Sequence, residues 1–392
     1  MHLLDQWAKE GRISHEASQR FVLAARMLAG GALLPQAGVL AQAMAARKTQ
    51  KEAILVHPDQ AEEAAIVNDV AVISVTSESE AIAYIKGEAE IAPLIRDTRT
   101  IFQDAQEVVP LDMADIIEDE NAKHALEIAA IGHHHAVLVG NERSGRMRLA
   151  AHVAATLPKM TLQEALSVTL RYSNTGKLPL KTGLLPHRPT EKIGPYTSEE
   201  ELRMKVYLSH LGVLMIENIE ELDKAQVRVI YEVLAQQRIL WEGKMAPCQP
   251  QMIGLSTNGR IAPELHPFFD LYIDVPIISI EDHLRFDAEL ESSVDIRERI
   301  EAATARQTQR FSESALTYNA HIPPNEIDQW VPLQAPIKML MNISLKNLGL
   351  SPKIVPQARR VAQSIADRVG DDMIQPYYIA EAIQYFMLME EG

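Results

Sequence analysis

Cysteine and long apolar runs are both scarce in this chain of 392 residues. Cys248 is its one cysteine, so the chain by itself can form neither an intrachain disulfide nor a zinc site built from cysteines. No run of about 18 apolar residues occurs, which argues against a membrane-spanning helix. The first residues, MHLLDQWAKEGR, carry acidic side chains where a signal peptide would be basic and then apolar. We therefore expect a cytoplasmic protein that binds no membrane.

Positive charge is also in deficit. The chain has 38 Lys and Arg residues against 53 Asp and Glu residues, which gives a net charge of −15. This balance argues against a broad basic surface that binds nucleic acid irrespective of sequence. A ring-shaped assembly could still confine positive charge to its pore, so DNA stays a candidate partner. The length and the 47% of hydrophobic residues allow two or three globular domains.

The first part of the chain alternates strand-like and helical segments. Ser14 is a plausible helix cap, and His15 to Leu28 are compatible with a helix. An Ala-rich helix follows GALLPQAG, and the β-branched runs EAILVH and VAVISV alternate with helical segments. This rhythm predicts an α/β domain at residues 1–87. Prolines and mixed charge then predict a linker at residues 88–111.

A larger α/β unit is predicted for residues 112–278. Its sheet would contain the apolar strands HAVLVG, LGVLMIEN, QMIGLSTN and FDLYIDVP, which suit the middle of a parallel sheet. Pro, Gly, Lys and Thr predict a long loop at residues 171–200, which ends where Thr197 or Ser198 caps a helix. Residues 279–392 are predicted to be helical, with breaks near YNAHIPPNE and LGLSPKIVP.

The stretch AVLVGNERSGRM, residues 136–147, has the outline of a phosphate-binding P-loop. A strand reaches Gly140, and a helix opens after Gly145. The pattern asks for Lys and then Ser or Thr, but the chain has Arg146 and Met147. The planar fork of arginine is no simple substitute for a lysine point charge, and methionine offers no hydroxyl to magnesium. Taken alone, the two glycines also fit an ordinary strand-to-helix turn.

Motifs on both sides of this loop follow a known order. LSHLGVLMIENIEELDKAQVRVIYEVL resembles a Walker B strand and its helix, and QMIGLSTNGRIAPELHPFFDLYIDVP resembles a sensor 1 and arginine-finger segment. Together they resemble the magnesium-chelatase-like AAA+ family of the ComM and YifB type, which is linked to competence and DNA branch migration. The resemblance implies an α/β AAA+ P-loop core and a C-terminal helical lid domain, preceded by a truncated Lon-protease-like α/β domain at residues 1–87.

The family pattern implies a nucleotide-binding set in this chain. It comprises Gly140, Ser144, Gly145, Arg146, Met147, Asn258 at the sensor 1 position and Arg360 at the sensor 2 position. For the last two, a strand-end turn and a solvated helix face are the ordinary structural alternatives. The resemblance implies ATP and Mg²⁺ as ligands, and the departures at Arg146 and Met147 put both in doubt.

The catalytic positions depart further from the family pattern. Glu217 and Asn218 stand where the family has Asp-Glu, and an asparagine cannot take a proton from water. Phe268 stands at the arginine-finger position, where such a residue contributes roughly 10³ to 10⁵ in rate. Arg260 could be a substitute, although we favour a plain surface residue. Glu217 and Asn218 also fit a simple strand end.

Other family elements are reduced. Only RILWEGKMAPCQP remains where the family has a longer pore hairpin, and the cysteine-bearing loop that could hold zinc is absent. The first half of the Lon-like domain has no counterpart here, so we expect no peptidase activity and a sheet that another segment or chain completes. His133, His134 and His135 enter a strand on alternating sides, which disfavours a shared metal ion.

Two functions remain as hypotheses. In the first, the chain keeps the AAA+ fold, has lost efficient ATP hydrolysis, and serves as a binding or scaffolding subunit in an oligomer or with an intact relative, in DNA uptake or recombination. In the second, it is a slow ATP-binding ATPase or branch-migration helicase subunit in a mixed ring. A foldable relic is the third reading, and the coherent strand and helix patterns argue against it.

Overall fold

The structure is a computed structural model that describes residues 3–109, 111–116, 120–277 and 290–389. The chain divides into two compact units. The first consists of Met1–Val108 and Met160–His187, and the second of Val109–Lys159 and Arg188–Gly392. Residues 279–289, the first part of the predicted helical domain, lie outside the described part of the chain.

The described helices, numbered along the chain, cover both units. They are α1 Leu3–Lys9, α2 His15–Arg20, α3 Val39–Lys48, α4 Ala61–Ala64, α5 Glu78–Lys86, α6 Thr98–Gln106, α7 Glu120–Gly132, α8 Arg146–Thr156, α9 Leu162–Asn174, α10 Glu199–Leu208, α11 Lys224–Gln236, α12 Ser293–Arg310, α13 Ile327–Trp330, α14 Ala335–Leu348, α15 Val355–Val369 and α16 Pro376–Gln384.

The described strands form several sheets. They are β1 Phe21–Ala24, β2 Arg26–Met27, β3 Leu33–Leu34, β4 Ala53–Val56, β5 Ala71–Ser74, β6 His135–Val139, β7 Thr190–Ile193, β8 Val213–Ile216, β9 Arg238–Trp241, β10 Lys244–Pro247, β11 Gln251–Ser256 and β12 Phe269–Asp274.

The first unit contains a three-stranded parallel sheet in the order β1-β4-β5. Ser14 caps α2 as expected, because its Oγ accepts a hydrogen bond from the Ala17 amide. The expected helix from His15 to Leu28 is wrong beyond Arg20. Phe21–Ala24 instead form β1, which pairs in register with Ala53–Val56 and buries most of its side chains. Sheet pairing here overrides a helix-compatible composition.

Two boundaries differ from the sequence-based expectation. The predicted linker contains α6, which Asp97 caps and whose Phe102 is buried. Residues 160–187, predicted to belong to the core, are part of the first unit. There α9 packs against α3, and the Ser173 hydroxyl donates a 2.6 Å hydrogen bond to the buried Glu63.

The second unit is built on a five-stranded parallel sheet in the order β12-β6-β11-β8-β7. β6, β8 and β11 are almost wholly buried, as expected for all-apolar strands in the middle of a parallel sheet. Because all five strands run the same way, the segments that leave β6, β8 and β11 meet at one edge of the sheet, its carboxyl edge. Ligands of such sheets bind outside that edge.

Two sequence segments of this unit have more structure than expected. The polar run Thr190–Ile193, inside the predicted loop, is the edge strand β7. RILWEGKMAPCQP contains the antiparallel hairpin β9-β10, and the Trp241 ring stacks on the Tyr207 ring at 5.1 Å.

The described residues from 290 to 389 contain helices and turns but no strand. They pack on the rest of the second unit, where α15 and α12 both contact α7. One apolar core continues from the sheet into these helices, and it includes Leu138, Ile253 and Ile365. In the described residues, no helix is long and apolar enough to cross a membrane.

Candidate functional site

The glycine-rich loop follows β6 at the carboxyl edge of the five-stranded sheet. Gly140 is required there because a Cβ would overlap the carbonyl oxygen of Val275. A 3₁₀ turn covers Glu142–Ser144, and Gly145 has a left-handed backbone with φ +80° before α8 begins. The loop therefore keeps the outline of a P-loop that its sequence predicted.

The inside of this loop is partly closed by its own hydrogen bonds. The Arg143 amide donates to Asn141 Oδ1 at 2.9 Å, and the Ser144 amide donates to the Asn141 carbonyl at 3.0 Å. A phosphate cradle needs such amides turned toward the ligand. Two of the amides that could cradle a phosphate are therefore already bonded within the loop.

A cavity of about 540 Å³ lies beside the loop, within the second unit. Four predicted positions from two elements meet there, namely Arg146 and Met147 from α8 and Glu217 and Asn218 from the end of β8. We call it the P-loop cleft. Its other lining residues are Glu142, Lys192, Ile193, Gly194, Pro195, Tyr196, Thr197, Glu201, Lys205 and Leu255. Gly140, Ser144 and Asn258 lie near this sheet edge but do not line the cleft.

Arg146 is the positively charged group of α8 at the cleft. Its side chain is only 4% exposed, and its Nη1 has no hydrogen-bond partner among the described residues. Burial lowers the pKa of Arg146, and the carboxylates of Glu220, Glu142 and Glu217 oppose that shift. Ser144 is equally buried, and its Oγ also has no partner in the described part of the chain.

The end of β8 offers one carboxylate and one amide. Glu217 lies 3.4 Å from Lys192 Nζ, so its charge is balanced by a lysine of β7. Asn218 has a left-handed backbone with φ +44°, a conformation that asparagine tolerates better than most residues. Glu220 accepts hydrogen bonds of 2.8 Å from the Thr257 amide and hydroxyl, which ties this turn to the end of β11.

Asn258 lies two residues beyond β11. Its Oδ1 accepts hydrogen bonds from Ser256 Oγ at 3.2 Å and the Arg260 amide at 3.0 Å, which leaves its NH₂ end outside these bonds. The Gly140 amide donates to the Ser256 carbonyl at 3.0 Å, so Asn258 follows a strand end that touches the glycine-rich loop. Asn258 thus lies at the carboxyl edge of the sheet, and its sensor 1 role stays a prediction.

Arg360 lies elsewhere, and its predicted place in the nucleotide site is corrected. Its Nη2 donates a 2.9 Å bond to Asp270, which is near the start of β12. This position is at the amino edge of the sheet, whereas the glycine-rich loop leaves its carboxyl edge. The side chain is 7% exposed and helps to hold α15 on the sheet. Neither the sensor role nor a solvated helix face describes it.

A phenylalanine occupies the position at which the family resemblance implies an arginine finger. Phe268 packs edge-on against Tyr231 at 5.7 Å and lines a second cavity at the amino edge. Arg260 is exposed next to Asn258.

Sequence reasoning missed one wall of the P-loop cleft. Gln226 is buried and donates through Nε2 to the carbonyls of Gly194, Pro195 and Thr197 at 2.9 to 3.2 Å. These bonds fix the segment that carries Tyr196, whose side chain is 98% exposed beside the cleft. The one sequence signal was the Gly-Pro pair before the helix cap, because β7 itself is polar and short.

The residues of the cleft do not fit a magnesium ion well. Met147 stands where a hydroxyl ligand is needed, and no cluster of three or more His, Cys, Asp and Glu residues in the described ranges could hold a metal. A phosphate is fitted in part, because Arg146 Nη1 lacks a partner among the described residues and Lys192 and Lys205 also line the cleft, while its three glutamates repel an anion. No cluster in the described residues supports a zinc site either.

Comparison with known proteins agrees with this fold. The family model described as "Magnesium chelatase, subunit ChlI" matches residues 112–247, and "Magnesium chelatase, subunit ChlI C-terminal" matches residues 290–385. The competence protein ComM of Haemophilus influenzae is 24% identical, with 94% of this chain and 78% of ComM aligned. The chain belongs to the magnesium-chelatase-like ComM/YifB family. Its mixed α/β architecture with a parallel sheet is the AAA+-like fold of that family.

Further relatives align over a similar length. YifB of Escherichia coli is 24% identical over 91% of this chain and 75% of its own length. An uncharacterized protein of Mycobacterium tuberculosis is 23% identical over 91% of this chain and 76% of its own. The similarity to these ComM/YifB-family members therefore runs along most of this chain and about three quarters of each relative.

Proposed function

We propose that this ComM/YifB-family protein has lost efficient ATP hydrolysis and acts as a cytoplasmic binding or scaffolding subunit. It would work in an oligomer or with an intact AAA+ relative. The residues before the core would form a Lon-like domain, and α12–α16 would form a helical lid domain. The name of the relative ComM, a competence protein, is the motive for placing the role in DNA uptake or recombination.

The observation that carries the proposal is the pair of side chains at the two reactive positions of the cleft. Met147 and Asn218 both line it, one from α8 and one from the end of β8. Hydrolysis at such a site needs a hydroxyl for magnesium and a carboxylate that activates water. A thioether and an amide supply neither. The loss of an arginine at position 268 removes a third contribution.

ATP turnover by the purified chain tests the proposal. We expect turnover at background level with magnesium present, both for the natural chain and for Arg260→Ala, because Arg260 is not a substitute finger. The triple variant Arg146→Lys, Met147→Thr and Asn218→Glu restores the side chains that the family pattern asks for, and it should gain measurable turnover when mixed with an intact relative. Magnesium-dependent turnover by the natural chain that Arg146→Ala abolishes would contradict the proposal.

One observation favours the second function, a slow ATP-binding subunit of a mixed ring. Arg146 is buried at the cleft with Nη1 unpartnered within the described ranges, as a group that contacts a phosphate would be. A mixture with the intact relative distinguishes the two functions. A scaffolding subunit leaves turnover per intact subunit unchanged when Arg146→Ala is introduced, whereas a nucleotide-binding subunit changes it.

DNA binding by this subunit can be measured separately. The net charge of −15 predicts weak binding that salt abolishes. A gel shift at low salt with single-stranded and duplex DNA is the direct measurement. No shift at low salt would remove a helicase-like role while leaving a protein scaffold intact.

A further inference from the structure

A second cavity of about 360 Å³ lies at the amino edge of the five-stranded sheet, within the second unit. Its polar wall is formed by His133, His135, His321 and Arg360, and apolar residues such as Phe268 and Met252 complete it. We call it the histidine cavity. The elements that meet there are the start of β6, the turn before β11 and the chain around residues 320–324, so it is distinct from the P-loop cleft.

The imidazoles of the histidine cavity face one another at short range. The His133 ring lies 5.5 Å from the His321 ring and 6.1 Å from the His135 ring, centroid to centroid, and it stacks on Tyr318 at 4.8 Å. His133 holds a left-handed backbone with φ +55°. His134 points the other way, because its Nδ1 lies 2.6 Å from the Asp270 carboxylate. The alternation expected for this triplet is therefore observed.

Burial disfavours the protonated form of the three imidazoles in the folded protein. Burial lowers the pKa of His135 to about 3 and that of His321 to about 4, and it lowers the pKa of His133 well below 6.5. Neighbouring imidazoles lower these pKa values further, as does Arg360 for His135 and His321 and Arg188 for His133, whereas the Asp270 carboxylate opposes the lowering at His135. His135 Nδ1 accepts a 3.0 Å hydrogen bond from the Met252 amide, so its Nε2 carries the hydrogen.

Two polar nitrogen atoms at this cavity lack a hydrogen-bond partner among the described residues. Arg360 Nε and His133 Nδ1 are buried, and neither has a hydrogen-bond partner in the residues that the structure describes. The other guanidinium nitrogens of Arg360 are occupied, because Nη1 donates to the Ile322 carbonyl and Nη2 donates to Asp270. An arginine Nε–H is always a donor, so the group that would satisfy it has an acceptor atom. An unsatisfied buried donor costs stability unless a ligand or water bonds it.

The charges of the residues that line the histidine cavity favour some ligands over others. Among the described lining residues of the histidine cavity there is no Asp or Glu, although the whole chain carries 53 acidic residues. An anion in the histidine cavity therefore meets no carboxylate among these lining residues, and it stabilises the protonated form of any imidazole close to it.

We propose that the histidine cavity binds a small oxyanion, a phosphate or a carboxylate, and that His133 and His321 take up a proton when it binds. Arg360 and the Nε2–H of His135 donate to the oxyanion. The volume of the cavity suits a small ligand, at the lower end of the usual range for such sites. The inference is independent of whether the P-loop cleft binds ATP.

Calorimetry with sulfate on the full chain tests this site, because sulfate keeps the same charge between about pH 6 and about pH 8. We expect saturable binding that is roughly 10-fold or more tighter at the lower pH. The variants His321→Gln and His133→Asn should each weaken it by roughly 10-fold or more, since each removes a charged donor. Asparagine suits the left-handed backbone at position 133. Inorganic phosphate and succinate, titrated in parallel, decide which oxyanion the cavity prefers.

The variant Arg146→Met is the matched control, because it removes the cation of the P-loop cleft and should leave sulfate affinity unchanged. Proton NMR of the histidine C2–H signals supplies a second readout. The His321 and His133 signals are assigned by their disappearance in His321→Gln and His133→Asn. Added sulfate should raise the pKa at which each of these two signals titrates toward the ordinary histidine value. Absence of saturable binding, binding with no pH dependence, or binding that only Arg146→Met removes would each overturn the proposal.

Discussion

Single buried charges hold the helices of the second unit together. Glu127 of α7 is 4% exposed and accepts hydrogen bonds of 2.8 Å from Arg299 Nε and Nη2. Arg368 of α15 donates to the same carboxylate at 3.2 Å. Burial alone would raise the pKa of Glu127, but the two arginines outweigh burial and lower it. One carboxylate therefore links α7, α12 and α15.

Replacing Glu127 tests this link. Glu127→Ala leaves Arg368 without this carboxylate and leaves Arg299 with only the exposed Glu291, and we expect it to lower the free energy of unfolding by about 3 kcal/mol. Urea unfolding at neutral pH measures the change. Arg306→Ala is the control, because Arg306 only approaches the exposed Asp372 at 4.0 Å. Equal stability of the two variants would show that the Glu127 contacts contribute little.

The partly buried histidines of the histidine cavity predict an acid-sensitive second unit. His135 and His321 have lowered pKa values of about 3 and about 4 when folded, whereas an unfolded histidine titrates near its ordinary pKa of 6.5. The unfolded state therefore binds more protons below that pH. Stability should be constant above it and fall as the pH drops from about 6.5 toward 5, by up to about 1.4 kcal/mol per pH unit for each such histidine.

Urea unfolding at several pH values without added anions measures this slope. His321→Gln removes one of the titrating groups, so its stability should depend less steeply on pH in the same window. Paired carboxylates lose their contribution mainly at lower pH, which separates the two effects. An identical slope in the variant would mean that His321 is not kept neutral by the fold.

At the scale of elements, the apolar pattern of the sequence predicted the central strands of the second unit's sheet and missed its edge strand β7. HAVLVG, LGVLMIEN and QMIGLSTN are β6, β8 and β11, because a strand buried on both faces must be apolar throughout. TEKI has no such pattern, since β7 is an edge strand with its first three side chains partly or fully exposed. The helix predicted at the β1 segment was wrong because an apolar run of four residues fits a helix as well as a strand.

The edge strand depends on one glycine. A Cβ at Gly212 would overlap the Pro189 carbonyl just before β7, so Gly212→Ala should push β7 from β8 and loosen the wall of the P-loop cleft. We expect faster hydrogen exchange of the β7 amides together with a destabilisation of about 1 to 3 kcal/mol. Gly183→Ala is the control, because its Cβ would meet nothing closer than 3.8 Å. Unchanged exchange at β7 would contradict this role of Gly212.

At the scale of the whole molecule, the order of motifs along the chain could be predicted better than the place of each residue in the folded protein. The order of motifs led to the correct family and to the P-loop cleft, where Arg146, Met147, Glu217 and Asn218 meet. Arg360 was misplaced because its helix position alone does not show which edge of the sheet it reaches. Residues 160–187 were misplaced because a contiguous stretch of chain need not belong to one compact unit.

The two sheet edges of the second unit also differ in chemistry. The carboxyl edge keeps the outline of a nucleotide site but carries Met147 and Asn218, while the amino edge carries the histidine cavity with no acidic side chain among its described lining residues. Met147 and Asn218 differ from the family pattern at positions that the pattern uses for ATP hydrolysis, while the strands and helices around them are formed. This contrast is the reason for proposing a binding or scaffolding role rather than ATP hydrolysis.

Calorimetric titration of the purified chain with ATP, in the presence and absence of magnesium, tests the loss of the nucleotide chemistry most directly. With Met147 in place of a hydroxyl, magnesium should not strengthen whatever binding is seen, and affinity should be weaker than micromolar in both titrations. Micromolar ATP binding that requires magnesium would contradict a vestigial site and support a working ATPase.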